Sequence, residues 1–278
     1  MTVVADLGDG LRLRMAPPAD GDGPFATGGL QRGLLLSDGD ADLAEEGVGF
    51  GVPVLKAGTH TVFPGRAEVS VRRDGEVLEI EVLYRLDLVE RLARPDGRPL
   101  MCPALYAAKD LLAALHRRLP PARAGLTATS SGLRRRFGWS TVYVAVAPVA
   151  EVPVVARVEE GSGRLELAAR LDGLPRTVTE AALMCEVGAR AFGRYEEPGR
   201  PPLEGDAVGT WARVGRPGAR FVSRERGVAV TLAAAEGGSA RRGRELVGAR
   251  LAWAGFGLVA APPRRPLSCT LTVRREAP

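Results

Sequence analysis

The sequence predicts an all-β chain: a large antiparallel β-sandwich with one principal amphipathic helix. Three observations predict it. Leu78, Ile80, Val82, Tyr84, Leu86 and Leu88 fall on every second residue, with Glu79, Glu81, Arg85 and Asp87 between them. That period of two is the mark of a strand with one buried face. Asp74-Gly75 joins this run to Val69 and Val71, and Asp-Gly between alternating apolar residues is a strong hairpin signal. The 35 glycines and 21 prolines make up about a fifth of the 278 residues, against roughly an eighth in average usage. Spread along the chain without a period, they fit many short strands joined by turns.

The remaining elements follow in order. An apolar run at 34–36 reads as a strand ending in an acidic turn. A second hairpin joins 152–158 to 164–171 through Glu159-Glu160-Gly161-Ser162-Gly163. Later strands are expected over 181–187, 221–223, 228–235, 250–260 and 268–274. One helix is expected over 103–119. Pro103 suits its first position, and Leu105, Ala108, Leu112, Leu115 and Leu119 form one apolar stripe. Arg117 and Arg118 favour its last turn, and Pro120-Pro121 ends it. The Pro-, Gly- and Arg-rich residues 120–138 are the best internal boundary, so the reading is one domain over 1–278. In size and strand content the chain is similar to supersandwich folds such as that of galactose mutarotase. The similarity is one of architecture and assigns no residue.

Composition narrows the function classes. The net charge of +5 is almost all arginine, with Lys56 and Lys109 the only lysines. A GC-rich coding sequence accounts for such a bias, so nucleic acid is not an expected partner. No apolar tract reaches the length of a membrane span, and no signal sequence opens the chain. The three cysteines, Cys102, Cys185 and Cys269, are few and far apart, which fits reduced, buried thiols in the cytoplasm.

Known site motifs fail on spacing. In Glu45-Glu46-Gly47-Val48-Gly49-Phe50-Gly51-Val52-Pro53-Val54-Leu55-Lys56 the glycines miss the dinucleotide fingerprint, because Val52 or Val54 stands where its last glycine belongs. Leu55 stands where a phosphate loop needs glycine before Lys56. The alternating glycines instead bare one face to a close backbone or ring. Asp38, Asp40 and Asp42 start a calcium-loop pattern that Leu43 and Gly49 break. No cofactor and no metal is called for. With two histidines, His60 and His116, zinc has no ligand set, and His116 reads as a structural residue of the helix. Arg134-Arg135-Arg136 with Phe137 and Trp139, Arg241-Arg242-Gly243-Arg244, Arg264-Arg265 and Arg274-Arg275 read as solvated turns and ends.

One segment stands apart. Residues 183–214 hold Glu186, Arg190, Arg194, Tyr195, Glu196, Glu197, Asp206 and Trp211 with little regular period. A long irregular stretch in a compact domain is often functional. Flat aromatic faces beside directional polar groups suit a sugar ring. The leading expectation is therefore a binding or accessory protein for a carbohydrate-like small molecule, through Arg190 and Trp211. The alternative is a sugar epimerase or polysaccharide-lyase type of enzyme. It would use His60 or Tyr195 as acid/base, Glu186 as partner base and Arg190 to hold an anion. A third reading is an assembly protein whose Arg-rich turns contact an acidic partner. Trp253 is expected in the core, with neighbouring glycines giving room to large rings.

Overall fold

Alternation sets the strands, and register breaks bend them. The computed structural model describes residues 3–15, 29–100, 102, 111, 136–247, 251–263 and 265–276. The chain begins with the strands β1 (Val4–Gly8), β2 (Leu11–Met15), β3 (Leu34–Asp38) and β4 (Ala41–Asp42). Three long strands then run up and down: β5 (Phe50–Ala57) leads into β6 (His60–Asp74), β7 (Val77–Ala93) and β8 (Ser140–Glu159). β9 (Arg164–Ala169), β10 (Val178–Gly188), β11 (Arg194–Glu196) and β12 (Leu203–Glu204) follow, then a short 3-10 turn at Gly205–Val208. The chain closes with β13 (Ala212–Arg213), β14 (Ala219–Ser223), β15 (Val228–Glu236), β16 (Ser239–Val247), β17 (Leu251–Ala260) and β18 (Leu267–Arg275).

All strand pairings among the described residues are antiparallel, and hydrogen bonds link them into one sheet that folds over on itself. One layer, here layer A, runs β12, β11, β14, β15, β18, β9 and continues into the distal parts of β8, β7 and β6. Layer B runs β13, β16, β17, β10, β5 and continues into the proximal parts of the same three strands. The crossing falls at the register breaks beside Pro64 in β6 and between Leu86 and Leu88 in β7. Extra residues on one strand of a pair bend it, which carries each strand from layer to layer.

The layers meet face to face. Phe221 of layer A packs edge-on against Phe256 of layer B with ring centroids 5.1 Å apart. The larger core cluster fills this space with Leu78, Ile80, Val82, Tyr84 and Leu86 of β7 among many others. β7 thus buries the alternate residues expected of it, and both expected hairpins form. The β1–β2–β3 sheet adds Leu11, Leu13, Leu34 and Leu36 to the same core and leans on the β8–β9 turn, where Gly161 N–H donates to Asp6.

The helix expected over 103–119 and the Arg134-Arg135 pair lie outside the described residues, apart from Leu111. The run Arg241-Arg242-Gly243-Arg244 is no solvated turn: it forms part of β16, paired with both β13 and β17. The strand expected over 181–187 forms as β10, so the irregular stretch expected over 183–214 begins only after Gly188, and within it 194–196 are β11. No helix among the described residues is long and apolar enough to cross a membrane.

Candidate functional site

β10 is buried on both faces, and that places the site. Leu183, Cys185 and Val187 point into the core between the layers. Met184 belongs to a second, smaller cluster with Leu30, Val48, Val52, Val54 and Leu88, against which Phe63, Tyr143 and Trp211 pack. Strand alternation puts Glu186 on that same outer face of layer B. Register then brings Trp253, Gly255 and Gly257 of β17 beside Gly188, Glu186 and Met184.

Trp211 and Trp253 stack there, with centroids 4.8 Å apart and planes 19° from parallel. Glycines make the space. A Cβ on Gly257 would sit 2.8 Å from the Trp211 ring, and one on Gly243 would sit 2.7 Å from that of Trp253. The expected room for large rings is therefore real. Trp253 is buried as expected, 7 % exposed, and strand alternation sets it with Trp211 on the outer face of layer B. Trp211 holds its ring in place with a backbone φ of 54°. Left-handed backbone is a genuine outlier for a bulky residue and is kept only where the surroundings over-determine it.

Glu186 is 5 % exposed and accepts a hydrogen bond from Val48 N–H at 3.0 Å. Burial pushes its carboxyl up from the ordinary 4.5 to about 7, while the Val48 bond and the charge of Arg32 work the other way. Arg32 holds the residues just before Val48: its guanidinium donates to the carbonyls of Glu45 and Gly47 at 2.6 Å each. Burial lowers the Arg32 pKa, though Asp42 opposes this. Tyr143 packs on the cluster, and burial, then the charges of Glu90 and Glu186, push its phenol well up.

The loop carrying Glu45, Glu46 and Gly47 is thus tied down on several sides. Its Glu45 and Glu46 carboxylates pair with Arg190 at 3.0 and 2.8 Å. The Glu45 carboxylate also accepts from Ala191 N–H, and Gly188 N–H donates to Leu43. Gly49, with φ of 85°, passes so near Leu34 that an added Cβ would lie 2.7 Å from its carbonyl oxygen. The alternating glycines admit a close backbone, as expected, but regular strand begins only at Phe50.

The five residues singled out in the sequence do not form one constellation. Glu186, Arg190 and Trp211 gather on and beside the outer face of layer B. Tyr195 lies on the far side of that layer, in the core, 2 % exposed. Its hydroxyl donates to Glu197 at 2.9 Å, and Arg242 lies 4.5 Å over its ring. Burial and the bond to Glu197 push the phenol up, so it stays a donor. His60 is exposed at the start of β6, against Thr59 and Arg91. His60 pairs with Ala57 and Ala57 with Val178. Glu186 is then eight residues along β10, roughly 25 Å at strand rise. Neither His60 nor Tyr195 has the hydrogen-bond reach to Glu186 that an acid/base pair needs.

Sequence reasoning missed Arg32, Val48 and Tyr143, whose neighbours come from distant segments. It also missed the packing of β16: Arg242 covers Tyr195, and Arg244 donates to Ala189 at 2.9 Å. A concavity of about 520 Å3 lies away from these residues, on the outer face of layer A, over Ala168, Ala234 and Ser268. Its charged rim is internally paired, Arg157 with Glu79 and Arg170 with Glu81. Among the described residues no cluster of His, Cys, Asp and Glu could hold a metal ion. No protein-family profile matches the chain, and no curated protein matches it in sequence.

Proposed function

We propose that the chain has a binding or accessory role toward a carbohydrate-like ligand, which it holds at the outer face of layer B beside Trp211. The observation that carries this reading is the Trp211 backbone. An indole fixed in left-handed geometry, stacked on a second indole and half-buried over glycines, is a preformed flat surface. The C–H face of a sugar ring packs on such a surface, as ligand sites combine apolar walls with few polar groups. The polar groups here are Arg190, with its Glu45 and Glu46 partners, and Glu186.

A glycan array followed by tryptophan-fluorescence titration of the hits tests it. Binding that quenches or shifts the emission, and that is lost in Trp211→Ala with the melting temperature largely kept, supports the reading. No hit at millimolar sugar refutes it.

One observation favours a second reading, an enzyme of the epimerase or lyase kind. A carboxyl at about 7 can take up and release a proton near neutral pH. Its partner would be Tyr143, since His60 and Tyr195 are out of reach. Any sugar that binds is then followed by NMR for epimer or unsaturated product. Turnover that disappears in Glu186→Gln while binding persists selects the enzyme; binding without turnover selects the accessory role. The third reading, an Arg-mediated assembly protein, loses Arg242 and Arg244, whose side chains are committed to Tyr195 and Ala189.

A further inference from the structure

Cys185 and Cys269 are distant in the chain and adjacent in space. Cys185 stands on β10 in layer B and Cys269 on β18 in layer A. Both side chains point into the core, 1 % and 4 % exposed, and their sulfurs are 3.9 Å apart. At their closest, Cα atoms of β10 and β18 lie within 8 Å of each other, nearer than the ~10 Å usual between packed sheets. Two small side chains facing each other across the layers suit that approach. Cys102 is exposed and takes no part.

We propose that this pair is a covalent modification site: oxidation closes an inter-layer disulfide between Cys185 and Cys269. A disulfide requires Cα atoms roughly 4.4–6.8 Å apart with the Cβ vectors converging; here the two sulfurs, on facing layers, already stand 3.9 Å apart, so about 2 Å separates them from bonding distance. The oxidant is a low-molecular-weight disulfide such as oxidised glutathione. One cysteine thiolate attacks it, forming a mixed disulfide and expelling a glutathione thiolate, which takes a proton. The second cysteine, deprotonated in turn, attacks the protein sulfur of that mixed disulfide and expels the second glutathione. Two protein thiols are oxidised, and one glutathione disulfide is reduced to two thiols.

Burial controls when this happens. A hydrogen bond to Cys185, burial and the Cys185 charge hold the Cys269 thiol well above its ordinary value. The folded protein is therefore a slow reactant, and closure occurs during folding or on local opening of the layers. The bridge joins positions 84 residues apart, so it removes a large loop from the unfolded ensemble. It does not depend on what the outer face of layer B binds.

The test uses Cys102→Ser protein, which leaves this pair alone, refolded from denaturant across a series of reduced-to-oxidised glutathione ratios. The expected product is a monomer lighter by two hydrogens. Its non-reducing tryptic digest joins the Cys185 and Cys269 peptides, and it melts about 5–10 °C above the reduced form. Dithiothreitol reverses all of these changes. Neither Cys185→Ala nor Cys269→Ala shows an oxidation-dependent shift in melting. The proposal is overturned if both thiols stay free at every ratio, if the disulfide forms between chains, or if the cross-linked monomer melts below the reduced one.

Discussion

Replacing Glu186 by glutamine should stabilise the protein at alkaline pH and do little in acid. The carboxylate is buried against Val48, and its pKa stands near 7 in the fold against 4.5 ordinarily. A carboxyl raised in this way is more easily kept neutral in the folded chain than in the unfolded one. Its contribution is full below 4.5 and is lost as pH rises to 7. The gap between 7 and 4.5, at about 1.4 kcal/mol per pH unit, makes the ionised group cost about 3 kcal/mol at pH 8. Glutamine keeps an oxygen for Val48 N–H and carries no charge. Urea denaturation of wild type and Glu186→Gln should therefore give stabilities that nearly coincide at pH 4. Between pH 4.5 and 7 the curves should separate until the variant leads by about 3 kcal/mol. Using the difference between the two proteins cancels every other titrating group. A gap that stays flat across this range would show that Glu186 is hydrated or firmly paired as an anion, and the account of its burial would fail.

Further expectations concern the aromatic and polar packing. Gly257→Val should push the Trp211 ring off its seat, since a Cβ there meets the ring at 2.8 Å; a red shift in tryptophan emission with a loss of roughly 1–3 kcal/mol would register it. Tyr195→Phe removes the donor to the buried Glu197 carboxylate, which keeps Gly215 N–H and Arg200. A loss of about 1–3 kcal/mol in chemical denaturation is expected. Trimming Arg242 to alanine uncovers the Tyr195 ring and should cost about 1 kcal/mol, with near-ultraviolet circular dichroism reporting the changed tyrosine environment.

How much of this could be read from the sequence depends on which faces a strand buries. β7 shows its alternation plainly because one face is core and the other carries Glu79, Glu81 and Arg85. β10 was expected as a strand over 181–187, but its second buried face was not, because Met184 packs on a second cluster outside the layer and Glu186 is the one polar residue in Leu183-Met184-Cys185-Glu186-Val187. β16 was hidden for the opposite reason. Its arginines look solvent-bound until Tyr195 and the Ala189 carbonyl supply their partners from other strands. The β1–β2 hairpin was not read, although Asp9-Gly10 before the alternating Leu11, Leu13 and Met15 is a turn signal of the same kind as Asp74-Gly75. In the site, Trp211 and Arg190 were visible as residue types in an irregular stretch. Arg32 and Val48 were not, since their link to Glu186 spans well over a hundred residues of chain.

The three strands that cross between layers bear on how the protein comes apart. A sandwich of two separate sheets can open along the seam between them, one sheet peeling away while the other persists. Here β6, β7 and β8 are each bonded into both layers, so that seam is interrupted by continuous backbone. Amides of β7 on either side of Leu86 should then exchange with deuterium in one event, at the free energy of global unfolding. The edge pieces β12 and β13, two residues each, should exchange much sooner. Mechanical pulling would meet the same continuity as a single rupture, without a preceding slip of one layer past the other.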